Sequence, residues 1–247
     1  MQSNDGKIIL VTGGSRGLGA EIVKKLAQNK NHCIYLTYLK SRENAEGLAF
    51  EHANVNAVKC DQKDDGAVKK TIETILLKNN KLDVLINNAC PSFRPCDFIN
   101  TRWKDFQEIL DVNLMGAYLF SREAASIMKE YKNGKIINIL SDYVINAPPS
   151  KIPHYITSKY ALMGLSKACA AELSKYGIRV NMISPGIMKT DMTGHMPKKY
   201  FEYLEHNHPL KRLTTTTDAA SVVEFLIAEN SAFLNGTNIV VNGGERF

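Results

Sequence analysis

An alternation runs through almost all of the 247 residues: short, continuously apolar runs separated by stretches with helical periodicity. Residues 7–12 (KIILVT) carry apolar side chains without a gap. That is the pattern of a parallel strand covered on both faces, not of a strand with one face in water. Similar runs recur at 33–38, 55–59, 84–87, 135–140, 179–183 and 239–242. Between them lie helical stretches at 17–28, 44–52, 64–79, 103–131, 155–176 and 217–228, the first with Leu18, Ile22, Val23 and Leu26 on one face. The stretch 103–131 is long enough to be one bent helix. Repeated strand–helix–strand spacing predicts an α/β fold: a single doubly wound parallel sheet of about seven strands with helices on both faces. No composition shift, linker or internal repeat divides the chain, so residues 1–247 are expected to form one domain. Only 186–213 lacks a period. It contains Pro197 and Pro209 and is expected to be a mobile lid over the C-terminal edge of the sheet, where open α/β sheets hold ligands.

The first strand runs into Thr12-Gly13-Gly14-Ser15-Arg16-Gly17-Leu18-Gly19. Glycines at 13, 17 and 19 permit a tight turn and let a phosphate approach the backbone, and the helix that follows offers free N–H groups to an anion. The same residues also fit the G-x-S-x-G elbow of hydrolases. That reading is disfavoured, because the turn follows the first strand and its possible histidine partners, His195, His206 and His208, lie in the aperiodic segment. No acidic residue occurs between Ile34 and Arg42, where a carboxylate would hold a ribose 2′-hydroxyl. Arg16, Lys40 and Arg42 can instead neutralise a 2′-phosphate, so the cofactor expected is NADP(H). Asp61, with Gln62 beside it, suits an adenine amino group or simply the positive start of a helix.

Tyr155 and Lys159 are one helical turn apart and share a face. A phenol with pKa near 10 is a poor acid–base group at neutral pH, and an ammonium within about 4–6 Å can lower that pKa. Ser141 ends the fifth strand, where its hydroxyl can meet a substrate carbonyl. Asn113 is either a buried structural amide or a water anchor that relays protons from Lys159. The net charge of +6 is spread over the chain with no basic run longer than two. This suits a phosphate-bearing cofactor or an acidic carrier better than nucleic acid. Five cysteines without a CxxC pair or zinc spacing predict reduced thiols and no metal. No apolar run reaches the roughly 20 residues of a membrane span, and the polar start lacks a signal sequence. A soluble, cytoplasmic protein is expected.

On these residues the chain resembles the classical short-chain dehydrogenase/reductases. The likeness spans TGGSRGLG at 12–19, Asp61, NNA at 87–89, Asn113, Ser141, YxxxK at 155–159 and PG at 185–186. It implies a Rossmann fold, usually tetrameric, and an Asn113–Ser141–Tyr155–Lys159 tetrad serving hydride transfer between nicotinamide and a carbonyl or carbinol carbon. It implies cofactor contacts at Gly13, Ser15, Arg16, Gly17, Leu18, Gly19, Tyr38, Lys40, Asp61, Gln62, Asn88, Ala89, Tyr155, Lys159, Pro185, Gly186, Ile187 and Thr190. The runs 177–193, 209–212 and 238–244 are similar to those of 3-oxoacyl-(acyl-carrier-protein) reductases. The substrate expected is therefore a 3-oxoacyl thioester or a related polyketide or secondary-metabolite ketone. A dehydrogenase of a sugar, steroid or cyclic alcohol, or a non-catalytic NADP-binding regulator, are the alternatives. Departures cluster on the substrate side: Cys90 replaces a glycine, Asp142 follows Ser141, and a proline-rich loop runs from 146 to His154. Lys132 fits a carrier-docking position, whereas Tyr176, beside Lys175, replaces a basic residue. Cys90 is expected to be a packed thiol, His154 a loop or wall residue, and Trp103 and Phe106 core or subunit packing.

Overall fold

The computed structural model describes residues 6–194 and 196–246. Strands β1 (Ile8–Val11), β2 (Cys33–Tyr38), β3 (Val55–Lys59), β4 (Val84–Asn87), β5 (Gly134–Ile139), β6 (Ile178–Pro185) and β7 (Asn238–Val241) form one parallel sheet. Its order is β3-β2-β1-β4-β5-β6-β7, so the winding reverses between β1 and β4. The continuous apolar runs now have a cause. Side chains alternate across a strand, and here both faces are covered. Ile9 and Val11 join Ile34, Leu36 and the inward faces of helices α1 (Gly17–Leu26) and α8 (Thr216–Ile227). Leu10 joins Tyr35, Leu85, Ile136 and Val180 under α3 (Asp65–Asn79) and α5 (Ala117–Tyr131). Helix α2 (Arg42–Glu51) connects β2 to β3.

Three segments differ from the sequence pattern. Residues 103–131 are helical throughout, but α4 (Trp103–Leu110) and α5 are joined by a π turn, Asp111–Gly116. The wide turn leaves the Val112 carbonyl to accept from Gln62 Nε2 at 2.7 Å. Gly116 makes room for that side chain, since a Cβ there would sit 2.6 Å from the same nitrogen. Helix α6 (Pro153–Leu173) starts two residues before Tyr155, with Pro153 in the first turn, where its missing N–H costs no bond. The stretch 186–213, expected to be irregular, contains helix α7 (Lys198–Asn207). Phe201 is the one residue of α7 that is buried, so no apolar repeat marks the helix in the sequence.

Candidate active site

The C-terminal ends of β1, β4, β5 and β6 open into a cleft of about 890 Å³, at the point where the winding reverses. Every cofactor contact implied by the sequence lines it, together with Ser141. Two expected residues do not. Asn113 is buried behind the wall, and Arg42 is turned away, its Nε donating to Glu46 at 2.6 Å. Arg16 and Lys40 are therefore the cations lining the cleft near the end of β2. Among the described residues no histidine lines the cleft. His208 has Nε2 2.9 Å from the Asn242 carbonyl and accepts from the Leu210 N–H at Nδ1, so neither nitrogen is free to act as a base. His206 is exposed, and His195 lies outside the described residues. The hydrolase reading has no support in this geometry.

The glycine turn is built as a cradle. Gly13 (φ +62°) lies against Ala89, whose Cα would be 2.8 Å from an added Cβ. A Cβ on Gly19 would collide with the Gly13 carbonyl. Side chains not singled out in the sequence hold this shape. Thr12 Oγ1 accepts from the N–H groups of Asn88 and Ala89, both at 3.1 Å. Asn88 Nδ2 returns bonds to the carbonyls of Thr12 and Gly13, and Thr37 Oγ1 accepts from Gly13 N at 3.1 Å. No side chain caps α1, which leaves its first N–H groups for an anion. Asp61 lines the cleft and accepts from Lys63 N at 3.1 Å, while the capping of α3 falls to Asp64. A glycine-rich cradle, free helix N–H groups and two cations fit the phosphates of a nicotinamide dinucleotide. Among the described residues no group of three or more His, Cys, Asp or Glu could hold a metal ion.

Tyr155 and Lys159 project side by side from α6 and are both buried. Lys159 Nζ donates to the Ile139 carbonyl at 2.8 Å and lies 5.6 Å from the centroid of the Tyr155 ring. The electrostatics differ from the sequence expectation. Burial is the largest influence on the phenol and pushes its pKa up, with Cys90, Tyr143 and Asp142 adding to the rise and a hydrogen bond to Ser141 opposing it. Burial also pulls Lys159 down. A low-dielectric site disfavours both charged forms, so the ammonium does not dominate the phenol. Cys90 is likewise pushed up by burial and is a thiol, not a thiolate. Asn113 Nδ2 donates to Ser158 Oγ at 2.9 Å, and that hydroxyl donates to the Tyr155 carbonyl at 2.7 Å. Ser158, fully buried, was hidden in the sequence among small helix residues.

The substrate side is apolar and aromatic. Phe93 stacks on Tyr155, ring centroids 4.7 Å apart and planes 22° from parallel. His154 is not part of the wall. It is buried behind it against the edges of Phe93 and Phe106, and burial lowers its pKa. Trp103, expected in core or subunit packing, is not in the core: it is 71% exposed in the single chain and stacks on Phe106. Tyr143, Ile152, Met188, Met192, Met196 and Tyr200 also line the cleft, with Lys151 and Asp191 among its polar residues.

Residues 13–245 match the family model described as enoyl-(acyl carrier protein) reductase. The chain is 31% identical over 242 residues to the 3-oxoacyl-(acyl-carrier-protein) reductase FabG of Staphylococcus aureus, covering 96% of this chain and 97% of that protein. It is 33% identical over 247 residues to the 3alpha-hydroxysteroid dehydrogenase of Mediterraneibacter gnavus, covering 97% of each. The crystal structure of the 3-ketoacyl-(acyl-carrier-protein) reductase of Brucella melitensis complexed with NADH superposes with a TM-score of 0.90 at 27% identity, over 99% of this chain and 100% of that one. The chain belongs to the short-chain dehydrogenase/reductase family and has its Rossmann-type fold.

Proposed function

We propose that this short-chain oxidoreductase reduces a 3-oxoacyl thioester or a related ketone with NADPH. The observation that carries the reading is the convergence of Ser141, Tyr155 and Lys159 in one cleft with the phosphate cradle. The cradle at 13–19, Tyr38, Lys40, Asp61, Gln62, Asn88, Ala89 and the Pro185–Ile187 turn with Thr190 hold the dinucleotide. When bound, the nicotinamide supplies hydride to the carbonyl carbon. Ser141 donates a hydrogen bond to the carbonyl oxygen and orients it. Tyr155 gives its proton to that oxygen as negative charge develops, and burial keeps the phenol protonated until then. Lys159, fixed by the Ile139 carbonyl, lies beside the Tyr155 ring and would hold the cofactor ribose. Asn113 acts through Ser158 to hold the first turn of α6 in register.

Arg16 and Lys40, with no carboxylate in β2, support NADPH over NADH. The ammonium groups of Lys129 and Lys175 lie 4.7 and 5.1 Å from the Tyr176 ring, so this face offers charge to an acidic carrier despite the tyrosine. Exposed Trp103, Met115 and Tyr118 on the α4–α5 surface support a homotetramer built through these helices. Residues 186–213, with α7, form the substrate lid. A second reading, oxidation or reduction of a cyclic alcohol or ketone such as a steroid, is favoured by the aromatic and methionine wall around Tyr155.

A panel of acyl thioesters, β-ketoesters and cyclic ketones, assayed with NADPH and NADH in parallel, tests the proposal. Consumption of NADPH by a 3-oxoacyl thioester, lowered by about 10²–10⁴ in Tyr155→Phe, supports it. Turnover confined to cyclic ketones moves the enzyme to the second reading. NADPH binding without turnover of any carbonyl makes the protein a cofactor-binding regulator.

A further inference from the structure

We propose that Arg246 is a positioning residue for this reaction: its guanidinium ties the segment after β7 to the loop that carries Tyr143 and follows Ser141, and so sets the substrate side of the cleft. The inference rests on the reading of Ser141 and Tyr155 as the pair that meets the carbonyl.

Beyond Ser141 the chain makes one short turn, Asp142–Val144, and then runs exposed from Asn146 to Pro148. Its own backbone bonds are few: Val144 N to Ser141 O at 3.1 Å and Ile145 N to Asp142 O at 3.0 Å. Arg246 supplies what the backbone lacks. Its Nε is 3.2 Å from Asp142 Oδ2, its Nη1 donates to the Ala147 carbonyl at 3.1 Å, and its Cζ sits 5.0 Å from the centroid of the Tyr143 ring. One planar cation thus pairs by charge with Asp142 at one end of the loop, donates to the Ala147 carbonyl at the other, and faces the aromatic ring between them, while its Nη2 pairs with Glu245. Tyr143 lines the cleft with Tyr155, and its N–H is 3.4 Å from Ser141 Oγ.

The other end of the tie is anchored. Asn242 Nδ2 donates to the Arg246 carbonyl at 3.1 Å, and Glu245 N donates to the Asn242 carbonyl at 3.1 Å. The same Asn242 carbonyl is 2.9 Å from His208 Nε2, just after α7. Arg246 therefore links the base of the lid to the substrate loop through one polar network.

Charge gives the tie a second role. Asp142 is 1% exposed, and a buried carboxylate demands a partner. Burial pushes its pKa up to about 6; Arg246 and the Asn242 amide oppose the rise, and Glu245 adds to it. Burial is what chiefly raises the Tyr143 and Tyr155 phenols, and the Asp142 charge adds to both. Removing Arg246 frees the loop and leaves Asp142 unpaired near the phenol.

The experiment compares wild type, Arg246→Ala, Arg246→Lys, Asp142→Asn and the Asp142→Asn/Arg246→Ala double variant. For Arg246→Ala, kcat/KM for the ketone is expected to fall about ten- to a hundred-fold, as misplacement of a reacting group does. NADPH affinity stays at the wild-type value, and the amides of Val144, Ile145 and Ala147 exchange faster. Arg246→Lys, which keeps the charge but not the fork, recovers part of the loss. The pH profile of Arg246→Ala departs from wild type around neutrality, and the double variant loses that departure while its loop still exchanges fast. Wild-type kcat, KM and pH profile in Arg246→Ala, or unchanged exchange at 142–147, overturns the proposal. A merely structural arginine would lower the melting temperature without moving the pH profile. If the wild-type enzyme reduces no carbonyl, the functional reading fails, and loop exchange alone decides whether the tie exists.

Discussion

At the scale of single residues, burial and not charge pairing governs the proton chemistry. Tyr155 sits in a pocket that disfavours the phenolate, so the group is an acid waiting for a stronger base. A developing alkoxide is such a base. Tyr155→Phe is expected to lower the rate of reduction by about 10²–10⁴, with NADPH binding retained by fluorescence titration. The pH dependence follows from the direction of the shift. Reduction should hold its rate through neutral pH into the alkaline range, because the buried phenol keeps its proton there; an alkaline fall near pH 7 would sink this account of Tyr155. Asp142 gives a stability test. Its folded pKa is raised from 3.8 to about 6, so the stability it contributes is fully present below about pH 4 and is lost as pH rises through 6. Against Asp142→Asn, wild type should lose on the order of 3 kcal/mol over that interval in urea unfolding.

At the scale of elements, the parts that hold the site are irregular ones. The π turn at 111–116 rotates Asn113 to the buried side, where its amide reaches Ser158 and so the first turn of α6. Ser158→Ala leaves that buried amide donor without its acceptor. The expected cost is about 1–3 kcal/mol, measured by thermal or urea unfolding, with kcat lowered more than cofactor affinity. The capping box of α8, Thr215 with Asp218, does not line the cleft. Thr215→Ala is expected to cost about 1 kcal/mol of stability with KM unchanged, a control for the site variants. Elements differed in how far the sequence disclosed them. Strands and amphipathic helices were readable, because each buries a face several residues wide. Helix α7 buries Phe201 alone, and the π turn is set by the fit of Gln62 against Gly116 fifty-four positions away, so neither leaves a local period.

At the scale of the whole molecule, the reversal of winding between β1 and β4 places the cradle and the Tyr155–Lys159 face of α6 on one cleft. A ligand that spans the two must stabilise the fold by mass action. At one hundred times its dissociation constant NADPH should add about 2.7 kcal/mol, read as a rise in melting temperature. At equal concentration NADH should raise it less if Arg16 and Lys40 receive a 2′-phosphate, and Lys40→Glu should narrow or reverse the difference. Equal shifts with both cofactors in wild type would refute the NADPH preference.

The residues alone determined the fold class, the glycine turn and the Tyr155–Lys159 pair. Each is written in local periodicity, or in side chains whose absence or spacing is itself the requirement. Only the folded chain decided which way Asn113 and Arg42 turn, that burial outweighs Lys159 at the phenol, and that Arg246 reaches Asp142 across 104 positions of sequence. Burial and long-range pairing belong to the packed solid, and no window of sequence contains them.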